Sequence, residues 1–292
     1  MEPETSSTLN MASVRGEPSS LGPGVGLATP GASGGADGVL SPQARTFAAL
    51  NDKGLDRGRR EFWLLFISSL YGGAYIAFGA LMYARTVWEY NALVAALIFP
   101  AGLAFVITTG SDLLTSNMLY GLLPLVSGDA RRSHSQKLQN LGRLLGISLL
   151  GNMIASVFVA MLAVTFEVVA AEDVIRLAVN KTSMTGATVF VKAVGANWLV
   201  NLAVYQASLV DNMGTKIILL WLPIAAFVSM KLEHSVANLT FLPAGYFAGA
   251  PLTISQILLS NLLPCLLGNF VGACVFAAQW HLKVRRPHVH KV

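Results

Sequence analysis

The sequence predicts an all-α polytopic membrane protein with six transmembrane helices, and three observations lead to this fold class. The chain of 292 residues is 54% hydrophobic and only 12% charged, about half the charged fraction of a typical soluble domain. Its apolar residues form long blocks without a charged side chain, at 62–84, 90–111, 144–166, 193–210 and 235–280. Each block is near or above the roughly 18 residues that mark a membrane-spanning helix. Third, the second half of the chain repeats motifs of the first half.

The two ends of the chain differ in composition from the rest. Residues 1–45 are rich in Ser, Gly and Pro and lack the hydrophobic stretch of a signal peptide. Such a composition buries too little apolar surface to become ordered, so residues 1–60 are predicted to form a disordered cytoplasmic tail. A transmembrane domain over 61–283 and a short basic tail over 284–292 follow. The sequence has no metal-ligand spacing, dinucleotide-binding fingerprint or Walker loop, so we expect no metal, no cofactor and no nucleic-acid partner.

Six spans are predicted in order within the transmembrane domain. They lie near 62–83, 93–124, 143–167, 186–209, 216–246 and 253–282. The second and fifth are longer than a bilayer requires, and each contains a polar stretch: TTGSDLLTSN at 108–117 and KLEHSVAN at 231–238. Since non-helical backbone at membrane depth is tolerated only where it is buried or lines a cavity, both helices are predicted to be broken there.

An internal repeat relates the two halves of the transmembrane domain. The matched motifs are GAYIAFGA and GANWLVNLA (from Gly73 and Gly195), the pairs Asp112–Asn117 and Glu233–Asn238, and LLGNMIASVFVA and LLGNFVGACVFA (149–160 and 266–277). They occur in the same order at nearly constant offset, which predicts repeats over about 61–170 and 184–283. Because each repeat holds three spans, the second copy enters the membrane from the opposite face. Such inverted repeats are typical of channels and transporters.

The distribution of Lys and Arg predicts the orientation in the membrane. These residues cluster before span one, between spans two and three, and after span six: Lys53, Arg57, Arg59, Arg60, Arg131, Arg132, Lys137, Arg143, Lys283, Arg285, Arg286 and Lys291. The opposite side carries few or mixed charges. By the positive-inside rule, both termini are predicted to be cytoplasmic. The predicted location is the plasma membrane.

Four motifs resemble the formate–nitrite transporter family over about residues 60–282. They are GSDLLTSN after FPAGLAFVITT, GANWLVNLAVY, LPIAAFVSMKLEHSVAN and NLLPCLLGNFVGA. The resemblance implies an aquaporin-like fold with broken second and fifth helices, assembled as a homopentamer with one pore in each protomer. It implies proton-coupled transport of small monocarboxylates such as lactate, pyruvate, formate and acetate. The N-terminal low-complexity segment resembles that of apicomplexan-type members, for which the family implies lactate/proton transport.

His234 is the main candidate for the transport pathway. A charged side chain at the centre of a membrane helix costs about 2.5–3.5 kcal/mol or more, so a dry site would keep the imidazole neutral and able to exchange a proton. The alternative is a histidine that only forms hydrogen bonds inside the bundle. The resemblance places the matching histidine at the pore centre with Thr115 opposite it. Leu113 occupies the equivalent position of the first repeat, so the histidine is not shared.

The resemblance assigns further roles along the pathway. It places Asn197 beside the pore, Lys181 in an outer vestibule that attracts the anion, and Arg57 or Lys53 in an inner one. It places hydrophobic constrictions at Phe99, Leu103, Leu114, Val200 and Phe227. By composition alone, these apolar residues could equally be packing residues, Lys181 a solvated lysine, and Thr115 a partner of a backbone carbonyl.

Polar residues at the two breaks are predicted to support the interrupted backbone. The set comprises Asp112, Glu233, Asn117, Asn238, Asn152 and Asn269. The two carboxylates are expected to accept hydrogen bonds from freed backbone N–H groups or to pair with a lysine, and the alternative is that they carry protons. Lys231 stands where many members of the family have glycine, and we expect it to pair with Glu233 or Asp112 or to add positive potential.

Three other functions are compatible with parts of the sequence. A passive anion channel for formate, nitrite or hydrosulfide requires the same pore without proton coupling. An aquaporin-like pore for neutral solutes would be indicated by twin NPA motifs, which the sequence lacks. An intramembrane enzyme would need a nucleophile and base or two acids at reacting distance, and Asp112 and Glu233 lie in no such motif. The chain is therefore predicted not to be an enzyme, with monocarboxylate anions, protons and the bilayer as its partners.

Overall fold

The computed structural model describes residues 41–284, which form α-helices, one π-helical segment and no strand. In chain order the helices are α1 (Pro42–Arg57), α2 (Phe62–Glu89), α3 (Ala92–Ile98), α4 (Ala101–Thr109), α5 (Leu114–Val126), α6 (His134–Thr165), α7 (Ala171–Thr182), α8 (Gly186–Ser208), α9 (Met213–Ser229), α10 (Ser235–Phe247), α11 (Ile254–Gln256), the π-helical segment Ile257–Leu262, and α12 (Leu263–Val284). This arrangement confirms the predicted all-α class.

The helices reproduce the six predicted spans. Among the described residues, five stretches are long and apolar enough to cross a membrane: Phe62–Glu89, Ala92–Thr109, His134–Thr165, Gly186–Ser208 and Ile254–Gln279. The second of these is continued by the shorter helix α5, and the fifth predicted span consists of the two shorter helices α9 and α10. The second and fifth spans are therefore both broken, as the polar stretches predict.

The two breaks share one local geometry. Helix α4 ends at Gly110, which has φ 70°, and the Ser111 N–H donates to the Val106 carbonyl at 3.1 Å. In the second copy Lys231 has φ 51°, and the Leu232 N–H donates to the Phe227 carbonyl at 3.1 Å. In both breaks the helix therefore ends in a left-handed residue, a conformation that favours glycine.

Helices α1 and α7 occupy equivalent places at opposite ends of α2. α1 directly precedes α2 in the chain and packs on α5. α7 packs on α10 and contacts the other end of α2, where the Arg176 guanidinium lies 4.5 Å from the centre of the Trp88 ring. Each repeat thus includes a short helix that packs on the second half of its broken helix. The two faces of the molecule are called the α1 side and the α7 side below.

The predicted N-terminal tail ends earlier than expected. Residues 42–57 form α1, whose Phe47 and Leu50 side chains are buried against the helical core. The hydroxyl of Ser41 caps this helix by accepting a hydrogen bond from the Ala44 N–H at 3.2 Å. The predicted end of the disordered tail at residue 60 is therefore wrong for residues 42–57, because the Ser-, Gly- and Pro-rich composition does not continue along α1. Residues 1–40 and 285–292, where the rest of both predicted tails falls, lie outside the described residues.

Candidate transport pathway

The two broken spans meet at Thr115 and His234. Thr115 is the second residue of α5, and His234 is the N-cap residue of α10. The Thr115 Oγ1 and His234 Nε2 atoms are 2.9 Å apart, and both side chains are buried. Residues 119 positions apart in the chain therefore form one polar pair at the junction of the two repeats.

The backbone of α10 determines which ring nitrogen of His234 carries the proton. His234 Nδ1 accepts a hydrogen bond from the Ala237 N–H at 3.2 Å. Since a backbone N–H can only donate, Nδ1 acts as an acceptor, and in the neutral ring the proton lies on Nε2. Nε2–H then donates to Thr115 Oγ1. The Thr115 hydroxyl proton has no acceptor side chain among the described residues and can donate to a bound anion.

Aromatic and aliphatic side chains surround this pair. The rings of Phe227 and His234 have centroids 5.9 Å apart, and Phe99 packs edge-on against Phe227 at 5.6 Å. Leu103, Leu114 and Val200, the other predicted constriction residues, are buried in the same hydrophobic cluster. Of the five apolar candidates, Phe227 and Phe99 are thus placed next to His234, and the other three are buried members of the wider hydrophobic core.

A cavity of about 480 Å³ leads to His234 from the α7 side. We call it the α7-side cavity. Its lining consists of Tyr83, Val87, Trp88, Ala92, Phe99, Leu177, Asn180, Lys181, Met184, Lys192, Phe227, Val228, Lys231, Leu232, Glu233, His234, Ala237, Asn238 and Phe241. Phe99, Phe227 and His234 are its buried members at the junction of the repeats, whereas Trp88 and Lys231 are exposed.

Lys181 lines this cavity as an ion-paired residue. Its Nζ atom lies 2.8 Å from Glu233 Oε1 and 5.3 Å from the centre of the Phe241 ring. The other carboxylate oxygen of Glu233 accepts hydrogen bonds from Asn238 Nδ2 at 2.7 Å and Asn261 Nδ2 at 3.2 Å. The buried carboxylate is therefore fully partnered, and the lysine predicted to attract the anion has its charge balanced.

Asp112 anchors the equivalent cluster on the α1 side. Its Oδ1 atom lies 2.8 Å from Arg57 Nη1, and its Oδ2 atom accepts hydrogen bonds from Arg60 Nη1 and Ser68 Oγ, both at 2.7 Å. Asn117 Nδ2 donates to Oδ1 at 3.1 Å. The expectation of a lysine partner for Asp112 is wrong, since two arginines fill that role.

The predicted inner-vestibule residues are both engaged with Tyr120 on the α1 side. Arg57 is buried, is paired with Asp112, and lies 4.6 Å from the centre of the Tyr120 ring. Lys53 Nζ lies 5.0 Å from the same ring. Arg57 is therefore a structural ion-pair partner rather than a free cation in a vestibule, because burial of Asp112 requires a partner charge.

Two asparagines satisfy the backbone at the breaks. Asn152 Oδ1 accepts from the Leu114 N–H at 2.8 Å, and its Nδ2 donates to the Asp112 carbonyl at 3.0 Å. Asn269 does the same in the second repeat, accepting from the Ser235 N–H at 2.8 Å and donating to the Glu233 carbonyl at 3.0 Å. The freed N–H groups are thus held by amides and not by the carboxylates, contrary to that part of the prediction.

Asn117 and Asn238 support the carboxylates instead of the backbone. Each donates its amide to the acid five residues earlier, and each amide has a second partner from a neighbouring helix, Ser148 or Asn261. Asn261 lies in the π-helical segment. Sequence reasoning missed it, although it is the first residue of the NLLPCLLGNFVGA motif, because it lies outside the repeated stretch 266–277.

Asn197 lies beside the Thr115–His234 pair. Its Nδ2 atom donates to the Asn269 carbonyl at 2.7 Å and approaches the Thr115 carbonyl at 3.4 Å. Its buried Oδ1 atom has no hydrogen-bond partner among the described residues. The fully buried Asn201, one turn later on α8 and not predicted, has neither amide atom partnered there.

Lys231 forms neither of the predicted ion pairs. Within the described part of the chain no carboxylate lies within ion-pair distance of it, since Glu233 is taken by Lys181 and Asp112 by two arginines. It lines the α7-side cavity as an exposed side chain. Of the expected roles, only the addition of positive potential is compatible with this position.

These features define a polytopic membrane transport protein in which two broken helices of inverted repeats meet at a buried polar pair. The sequence profile described as formate/nitrite transporter matches residues 44–282. The chain belongs to the formate/nitrite transporter family.

Three similar proteins illustrate the range of this likeness. The chain is 39% identical over 241 residues to a probable formate transporter of Methanothermobacter thermautotrophicus, covering 73% of this chain and 85% of that protein. A solved structure described as an FNT family ion channel matches with a TM-score of 0.74 and 27% identity, over 83% of this chain and 99% of the other. A pentameric formate channel with formate bound has the same fold, with a TM-score of 0.68 and 23% identity over 77% and 97% of the two chains. These proteins are transporters and channels rather than enzymes, in agreement with the prediction.

Proposed function

We propose that this protein carries small monocarboxylates, such as lactate, pyruvate, formate and acetate, across the membrane together with protons. The observation that supports this most directly is the buried Thr115–His234 pair at the end of a cavity whose charged lining is mostly cationic. The similarity to a probable formate transporter supports a small carboxylate as the substrate class.

The substrate crosses in its neutral form. In the α7-side cavity the anion is solvated and attracted by lysine side chains. At the buried end of this cavity, next to His234, lie Phe99 and Phe227, where low polarity disfavours a carboxylate and raises the pKa of the weak acid. The acid therefore binds a proton before it passes, and both move in the same direction.

His234 and Thr115 act as hydrogen-bond donors at the centre of this path. Nε2–H of the neutral imidazole and the Thr115 hydroxyl can both donate to a carboxyl oxygen, while Nδ1 stays bonded to α10. Protonating Nδ1 would break that bond and place a positive charge at a helix N-terminus, which the helix dipole disfavours. The transported proton therefore resides on the substrate.

The α7 side faces the exterior and the α1 side the cytoplasm, following the positive-inside rule. Phe99, Leu103, Leu114, Val200 and Phe227 act as constrictions that exclude hydrated ions, and Asn197 contributes a polar contact between them. The protein functions as a homopentamer in the plasma membrane. The solved pentameric formate channel supports this assembly through its shared fold.

Uptake into liposomes tests the proposal. Labelled lactate and formate are supplied at one total concentration, with the outside at pH 5.5 or pH 7.5 and the inside buffered at neutral pH. We expect faster uptake from the acidic side and acceleration of both substrates by an inward proton gradient. Uptake that follows the membrane potential and ignores the proton gradient would contradict proton coupling.

That contrary result would favour a passive anion channel for formate, nitrite or hydrosulfide. The similarity to an FNT family ion channel supports this second candidate. The two differ in one measurable property: a channel carries net current with the anion, whereas proton-coupled transport is electroneutral.

A further inference from the structure

The charged side chains of the α7-side cavity do not balance. Its lining contains Lys181, Lys192 and Lys231 but only one carboxylate, Glu233. Lys181 and Glu233 neutralise each other at 2.8 Å. Two positive charges therefore remain on the cavity wall.

These remaining lysines have no anionic partner within the described residues. Lys192 Nζ has one polar neighbour, the Met184 sulfur at 3.6 Å, and the side chain of Lys231 has no hydrogen bond or ion pair with the described residues. Lysine side chains on a protein surface usually extend into solvent, but both of these line a concave space of about 480 Å³. That volume is within the range of small-molecule sites, roughly 300–1,000 Å³.

The backbone at Lys231 strengthens the case for a functional role. Its φ of 51° is a left-handed conformation, and the equivalent C-cap in the first repeat is Gly110 with φ of 70°. Glycine adopts this conformation without strain, whereas lysine does not. Strained residues of this kind cluster at ligand sites, and here the strained residue brings a cation to the cavity.

We propose that Lys192 and Lys231 form a second anion-binding site, which holds a small carboxylate in the α7-side cavity before it reaches His234. Lys231 is exposed, whereas His234 is only 3% exposed at the junction of the repeats. The two positions therefore provide successive contacts, an ionic one in a hydrated space and a neutral hydrogen-bonded one in a dry space. This inference rests on the proposed function for the identity of the anion, but not for the existence of the site.

Fluorescence quenching of Trp88 tests the site without relying on transport. Trp88 lines the cavity and is 40% exposed. Its signal is obtained as the difference between the full-length protein and its Trp88→Phe variant. Iodide is the anionic quencher and acrylamide the neutral one. We expect Lys231→Gly and Lys192→Met each to lower iodide quenching of Trp88 by roughly two- to five-fold, the effect of losing one partly solvated unit charge, with acrylamide quenching unchanged.

Three controls make the result specific. Lys216→Gln removes the same charge from α9 outside the cavity lining and should leave iodide quenching unchanged. Formate or lactate should protect Trp88 from iodide in the wild type and much less in the double lysine variant. Higher ionic strength should reduce the difference between the variants. Unchanged iodide quenching, or an equal loss of iodide and acrylamide quenching, would overturn the site.

Transport kinetics separate this inference from the proposed function. In the liposome assay, Lys231→Gly should raise the half-saturating lactate concentration several-fold and leave the maximal rate unchanged. If the wild type carries no monocarboxylate, the proposed function fails and the quenching result still decides the site. If the wild type transports lactate but the lysine variants change neither the half-saturating lactate concentration nor the iodide quenching, the second anion-binding site is refuted and the proposed function stands.

Discussion

At the scale of single residues, His234 combines a structural role with the transport role proposed for it. Its Nδ1 caps α10 and its Nε2 faces Thr115. Asparagine is among the best N-cap residues and alanine among the poor ones, but an asparagine side chain is too short to reproduce both contacts. The two substitutions can therefore separate the cap from the pathway.

We predict that His234→Asn keeps the stability of the fold and loses efficient proton-coupled uptake, whereas His234→Ala loses both. The alanine variant should lose about 0.5–2 kcal/mol of stability, the typical value of an N-cap hydrogen bond. Thermal unfolding in detergent measures the first effect, and lactate uptake at two pH values measures the second. Full proton-coupled uptake by the asparagine variant would remove His234 from the proposed pathway.

At the scale of secondary-structure elements, each broken helix depends on one asparagine from a neighbouring helix. Asn152 and Asn269 each accept one backbone N–H and donate to backbone carbonyls, and both are completely buried. Removing either amide leaves buried backbone groups unsatisfied, at a cost of about 1–3 kcal/mol for each group.

We predict that Asn152→Ala and Asn269→Ala are similarly destabilising, by about 3 kcal/mol or more when several groups lose their partners. Asn201→Ala is the matched control, since Asn201 is equally buried but has no amide partner within the described chain. The Asn201→Ala variant should lose much less of its free energy of unfolding. Thermal unfolding of the three variants decides the matter, and equal losses in all three would show that the amides act only by packing.

The attachment of α1 is a second feature at this scale. Asp129, in the loop between α5 and α6, accepts hydrogen bonds from Asn51 of α1 at 2.9 Å and from Arg131, which also pairs with Asp52 of α1. The hydrogen bond from the Arg131 guanidinium, with a smaller contribution from Asn51, holds the pKa of Asp129 well below its usual range. The ionised carboxylate therefore helps to hold α1 on the helical core.

This lowered pKa gives the α1 attachment a defined pH dependence. A carboxyl group whose pKa is lowered on folding stabilises the fold fully above its unfolded pKa, about 3.9, and less as the pH falls toward the folded value. We predict that hydrogen exchange in α1, corrected for the intrinsic pH effect, is faster at pH 3 than at pH 6. Asp129→Asn should exchange faster at both pH values with a smaller difference between them. Asp56→Asn, which removes an exposed charge from α1 itself, should retain the wild-type pH dependence.

At the scale of the whole molecule, the sequence contained the six spans, the two breaks and their repeat. Charge-free length and the spacing of Asp112–Asn117 and Glu233–Asn238 are local signals, so they could be read without a structure. Helix α1 could also have been found, since Phe47, Leu50 and Gly54 recur at helical spacing on one face. It was missed because the polar composition before it extended the predicted tail too far.

The charge partners could not have been assigned from sequence. Asp112 pairs with Arg57 and Arg60, and Glu233 with Lys181, across separations of about fifty residues. Several cations were near enough in sequence to compete for each acid, and only packing of α1 on α5 and α7 on α10 selects among them. Because both acids are already paired, Lys231 has no carboxylate partner among the described residues, and this too could be recognised only in the folded structure.

An exposed glycine-containing face of α6 is relevant to how the protein assembles. Gly142 and Gly146 lie four residues apart on an exposed face of α6, with open space where a side chain would extend. In membranes, glycines at this spacing allow helices to approach closely. If the protein is a pentamer, this face is a candidate contact between protomers.

We predict that native mass spectrometry of the protein in mild detergent gives a complex of five times 31.0 kDa. Gly146→Leu should weaken that complex, because the added side chain separates helices that meet at this face. The single chain of the Gly146→Leu variant should keep its fold, since no atom of the same chain lies within 4 Å of a Cβ atom added at Gly146. An unchanged circular dichroism spectrum verifies this. A wild-type mass of one or two chains would contradict the pentamer, whereas a stable pentamer of Gly146→Leu would place the protomer contact on another face.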